Sequence, residues 1–90
     1  METKTKDQEA VLDYLFRWTR ELDRIGDTIS SKQIIAEPGI TIGDISNTDT
    51  EVTVWISGGD LGRRYLVTCR IVTTGGRTYD KSFYLNIAQL

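Results

Sequence analysis

The chain has 90 residues, enough for one domain with a thin core that buries about 60% of its unfolded surface. Eleven Lys and Arg against thirteen Asp and Glu leave a net charge of −2, which argues against a nucleic-acid footprint; no apolar run approaches the roughly 20 residues that cross a bilayer. There is no histidine and only one cysteine, so the commonest general base, the commonest metal ligand and an internal disulfide are all excluded.

Twelve Thr, ten Ile and five Val stand against three Ala, a β-branched composition that favours pleated, half-buried surfaces. Residues 1–9 are polar, lack apolar periodicity and carry no hydrophobic region of a secretory signal; they predict a solvated N-terminal arm, ordered by a neighbouring chain if at all. Residues 10–90 predict a single β-sandwich domain. Within 10–18, Leu12, Tyr14, Phe16 and Trp18 alternate as in a strand. Val11, Leu15, Trp18, Leu22 and Ile25 instead recur at helical spacing, with Gly26 as a stop. Three aromatics in five residues favour a strand through Trp18 and then a short helical turn near residues 19–25.

Residues 28–36 predict a strand ended by the turn Glu37-Pro38-Gly39. Ile40, Ile42 and Ile45 mark a short strand with a bulge at Gly43. Residues 51–57 alternate cleanly: Val52, Val54 and Ile56 share one face, and Glu51, Thr53, Trp55 and Ser57 the other. Residues 65–73 place Tyr65, Val67, Cys69 and Ile71 on one face. Gly75-Gly76 predicts a tight hairpin with positive φ at both positions, and 77–87 closes the fold with Lys81, Phe83, Leu85 and Ile87 on one face. The expected core is Tyr14, Phe16, Ile29, Ile35, Ile42, Val52, Val54, Ile56, Tyr65, Val67, Cys69, Ile71, Phe83 and Leu85. Six to seven short strands at about ten-residue spacing indicate an all-β, immunoglobulin-like antiparallel β-sandwich.

Chemistry has few candidates. Ser30-Ser31 lacks a histidine partner, Cys69 lies on an inward face where thiols are inert, and no carboxylate pair shares an element with a base. Asp44, Asp49 and Asp60 fall in turns without the dense oxygen spacing of a calcium loop. Residues 58–62, GGDLG, form a turn between strands rather than a phosphate cradle. The reading is of a chain that is not an enzyme and takes no metal or cofactor. Trp55, on the outer face of its strand, is packed by a neighbouring segment, anchors a protein interface, or binds a sugar.

Charge is segregated along the chain. Residues 1–30 carry −2, residues 31–60 carry −4 and residues 61–90 carry +4. Either strands of opposite sign pair on one surface, or the domain is polarised between an acidic edge (Glu37, Asp44, Asp49, Glu51) and a basic edge (Arg63, Arg64, Arg70, Arg77) that associate head-to-tail.

Four stretches, KDQEAVLDYLFRW (6–18), GDTISS (26–31), TDTEVTVWISGG (48–59) and YLVTCRIVTTGGRT (65–78), together resemble a family of small structural proteins of tailed bacteriophages, of the fibre–tail adaptor or head–tail joining type. VWISGG and TTGGRT are the most specific parts. Gln8 and Ile34 stand where members commonly carry Pro and Trp. The resemblance implies an immunoglobulin-like sandwich, a place in the virion after assembly in the host bacterial cytoplasm, and no enzymatic activity. It implies as partners copies of the chain itself and neighbouring portal, connector, tail or fibre proteins, with no nucleic acid and no membrane. It also supports a strand over 11–18. The alternative function is a particle-decorating or glycan-binding module. The candidate interface residues are Lys4, Lys6, Asp7, Trp55, Arg63, Arg64 and Tyr84.

Overall fold

The computed structural model describes residues 1–90. Seven strands and one helical turn follow in order: β1 (Glu2–Asp7), β2 (Leu12–Arg17), α1 (Thr19–Asp23), β3 (Ile29–Ala36), β4 (Ile40–Asn47), β5 (Glu51–Gly58), β6 (Arg64–Thr73) and β7 (Thr78–Ala88). They form two sheets, a four-stranded one in the order β1-β7-β6-β3 and a three-stranded one in the order β2-β5-β4. The sheets pack as a sandwich of 42 × 23 × 19 Å.

The core follows from period-2 alternation. Val52, Val54 and Ile56 of β5 face Tyr65, Val67, Cys69 and Ile71 of β6 and Phe83, Leu85 and Ile87 of β7, and all are buried. Phe16 and Tyr14 of β2 meet the Phe83 ring at centroid distances of 5.2 and 5.5 Å, tilted as aromatic pairs prefer. This contact seats β2 over β7. The helical turn α1 has only five residues and no side-chain N-cap, so local propensity cannot hold it. It persists because Leu22 and the adjoining Trp18 close one end of the core, both buried. Full burial of each apolar side chain of this size contributes about 1.5–3 kcal/mol.

Four expectations need correction. Glu2–Asp7 is not a solvated arm: it is strand β1, paired in register with β7 from Glu2↔Phe83 to Asp7↔Ala88. That pairing is parallel, so the sandwich is not purely antiparallel; the whole intervening domain serves as the crossover that a parallel pair requires. The strand escaped notice because its inward positions are Lys4 and Lys6 rather than apolar residues. Ile35 is 40% exposed and Ile34 turns inward instead. A register shift between Ile29 and Ser31 inverts the alternation along β3, so residues on either side of it with the same parity face opposite ways. The bulge near Gly43 is present, between Ile42 and Ile45. In the β6–β7 turn only Gly76 takes positive φ, at +85°. Gly75 is needed for space: a Cβ there would lie 2.9 Å from an Asp27 carboxylate oxygen.

Candidate interaction surfaces

Lys6 is fully buried and cannot face a partner. Its ammonium folds back and donates to the carbonyls of Asp7 (2.6 Å), Ala10 (2.8 Å) and, at longer range, Gln8 (3.4 Å). Three donors meet three acceptors, which satisfies the buried cation and fixes the β1–β2 connection. Asp7 is likewise engaged internally. Its carboxylate accepts from the Leu90 N–H at 2.8 Å and the Glu9 N–H at 2.9 Å, and these bonds hold its pKa below the usual carboxylate value. Lys4 stays accessible, 5.6 Å from the Phe83 ring centroid and 3.1 Å from Glu2.

A second internal anchor is Asp27, which the sequence reading did not single out. Its buried carboxylate accepts from the Thr28 N–H (2.9 Å), the Thr74 hydroxyl (2.8 Å), the Gly75 N–H (3.0 Å) and the Arg77 guanidinium (3.1 Å). The Thr73 hydroxyl, then burial acting in the opposite sense, then Thr74 and the backbone amides set a pKa far below the ordinary carboxylate value. GDTISS and TTGGRT are therefore two halves of one joint, across 46 to 50 residues of sequence. Their separation in the chain hid the connection.

Trp55 lies on the outer face of the three-stranded sheet and is 43% exposed. Asp13 of β2 stands opposite it, and the β4 bulge places Gly43 and Asp44 on its other side. Leu15, 42% exposed, is its diagonal neighbour, two residues along β2 from Asp13. Of the postulated acidic edge, Glu51 pairs with Arg17 at 3.0 Å and Glu37 accepts from the Leu66 N–H at 2.6 Å. Asp44, Asp49 and Asp60 do not gather into a metal-binding cluster of three.

On the opposite side of the sandwich, Arg64 stacks on Tyr84, 4.3 Å from the ring centroid, and Arg63 stands 6.0 Å from that of Tyr65. The remaining postulated basic residues are committed elsewhere: Arg70 to Asp80 by two bonds of 2.9 and 3.0 Å, and Arg77 to Asp27. The polarity read from the sequence thus narrows to an aromatic face flanked by Asp13 and Asp44, set against an aromatic corner bearing Arg63 and Arg64.

Cys69 is buried, and desolvation pushes its thiol up to about 11. A thiol in that state is not a nucleophile at neutral pH. One groove, of about 210 Å³, opens where β1 extends past β2.

A buried core thus carries two outward aromatic patches, one at Trp55 and one at Arg64 and Tyr84. Residues 6–86 match the family model described as podophage GP4 fiber-tail adaptor protein gp77, and the chain belongs to that family. No curated protein matches the chain.

Proposed function

We propose that the chain is a non-enzymatic virion adaptor at the joint between tail and fibre, assembling in several copies. The observation that carries this reading is the placement of two unlike aromatic patches on opposite sides of one stiff sandwich, in a chain of the fibre–tail adaptor family. Trp55 between Asp13 and Asp44 offers an apolar, acidic surface; Arg64 on Tyr84, with Arg63 beside it, offers a cationic one. Head-to-tail contact brings these together, and such heterologous contacts close into a ring when the rotation allows. Complementary charge sets register and encounter rate more than affinity. Repetition around an axis then gives avidity from weak single contacts. Lys4, Trp55, Arg63, Arg64 and Tyr84 are the interface residues of this reading; Lys6 and Asp7 brace it from inside.

The test is the double variant Arg63→Glu with Arg64→Glu. Its melting temperature stays near that of the parent, because both side chains are exposed, while assembly into the particle at physiological salt is lost. Full assembly of the variant would remove the motive for the proposal. A glycan-binding module is the second reading, favoured by the exposed indole of Trp55 on a sheet face. Binding of the isolated chain to a carbohydrate array, abolished by Trp55→Ala, would support it instead.

A further inference from the structure

We infer that the free edge of β2 accepts one extended, acidic segment of a partner polypeptide as a fourth strand of the smaller sheet. The two sheets do not match in width. Tyr14 and Phe16 seat β2 over β7, so β1, the next strand beyond β7, has no strand above it. The uncovered step is the groove of about 210 Å³, floored by Glu2, Lys4 and Phe83 and walled by Leu15, Arg17 and Lys81.

The wall of this step is a strand edge. The Trp18 N–H donates toward β5, to the Thr50 carbonyl at 2.8 Å. Backbone direction alternates along a strand, so the N–H and C=O groups of Asp13, Leu15 and Arg17 point to the open side. The Arg17 carbonyl does so visibly, since it accepts from the Lys81 ammonium at 2.6 Å. An added strand finds a ladder of main-chain partners there, the usual source of affinity in strand addition.

The step also selects its occupant. A second copy does not fit in the antiparallel arrangement that would continue the sheet across two molecules. A two-fold axis pairing β2 with β2 of another molecule would drive each β1 into the place of the other molecule's β7. The overhang admits one strand and excludes a second sandwich. The floor is charged where a core strand would be apolar, and charges facing inward beneath an edge suppress indiscriminate pairing. Three cations, Lys4, Arg17 and Lys81, line the step against the single carboxylate of Glu2. Arg17 and Lys81 already hold Glu51 and Glu21. Lys4 is held only by Glu2, which is two-thirds exposed, and such a pair contributes little. A carboxylate on an incoming strand takes up Lys4 at the floor, while the residues alternating with it lie beside Leu15.

This inference rests on the adaptor reading only for the source of the segment, a neighbouring virion protein; edge binding is measured on the isolated chain. The probes are an eight-residue peptide alternating Thr or Val with Glu, the same peptide with Lys for Glu, and the Glu peptide N-methylated at every second residue. On ¹⁵N-labelled protein the Glu peptide is expected to shift and slow the exchange of the Leu15 and Arg17 amides. The Lys and N-methylated peptides bind at least about tenfold more weakly. Lys4→Gln removes the preference for the Glu peptide over the Lys peptide; it breaks only a pair whose other member, Glu2, is two-thirds exposed, so the melting temperature falls little. Absence of binding at millimolar peptide, equal binding of all three peptides, or shifts centred on Trp55 instead of Leu15 would each overturn it. The Arg63/Arg64 variant tests assembly separately, so the two ideas fail by different measurements.

Discussion

The Asp27 joint and the Trp55 face use the same kinds of side chain in opposite ways. At Asp27 four donors converge on one carboxylate: the Thr74 hydroxyl, the Thr28 and Gly75 amides and the Arg77 guanidinium. At Trp55 two carboxylates stand beside an exposed indole and neither forms an ion pair within the chain. The first region is finished within the molecule; the second is complete only when something is laid against it. The contrast teaches that charge near an aromatic or a turn says little by itself. Whether its partners are already present decides between a structural and a contacting role.

Substitutions sharpen this contrast. Asp27→Ala is expected to lower thermal stability the most, because it strands several buried donors at once. Asp27 also gives a pH dependence of known sign. Its folded pKa lies below the unfolded value near 4, so its contribution is complete above about pH 5 and is lost as the pH falls through and below 4. Asp7, Glu21 and Asp80 are depressed as well, by the Leu90 amide, Lys81 and Arg70 respectively, and add to the same acid slope. Melting scans from pH 7 to pH 2 should show a shallower acid decline for Asp27→Asn than for the parent. An unchanged slope would assign acid sensitivity to other groups.

Lys6→Met is expected next. Losing three internal bonds costs about 1–3 kcal/mol, or a melting temperature lower by roughly 5–20 °C, with faster amide exchange confined to β1 and residues 7–10. Trp55→Ala comes last on this scale, below about 1 kcal/mol, since the indole contributes only its share of cross-strand packing. Its effect belongs to assembly, which it should weaken strongly. If Trp55→Ala instead destabilised the fold as much as Asp27→Ala, the distinction between the two regions would fail.

The sandwich was legible because strands β5, β6 and β7 alternate without interruption, and their inward residues are apolar apart from Thr73 at the end of β6 and Lys81 near the start of β7. The strand expected through Trp18 and the turn expected over 19–25 appear, shortened to Leu12–Arg17 and Thr19–Asp23, for a related reason: clustered aromatics fit a pleated face, and Leu22 gives the turn something to bury. Legibility ended where side chains act against type. Lys6 is a buried ammonium satisfied by main-chain carbonyls, and no hydropathy pattern marks that. Ile35 lost its place to Ile34 through one bulge that has no residue signature. Asp27 is ordinary in sequence, and only the folded chain brings the Thr73–Arg77 turn around it. The outward positions were half legible: the outward face of Trp55 follows from alternation and Arg64 from the charge layout, whereas the step beside β2 depends on β1 joining the other sheet.

Hydroxyl-radical footprinting of the chain, first free and then in assembled tails, probes the proposed division of surfaces most directly. The indole of Trp55 and the Arg63–Arg64 segment should lose reactivity on assembly, while Trp18, already buried, stays unreactive in both states. Equal labelling of Trp55 in the free and assembled chain would show that this face meets no neighbour and would contradict the account.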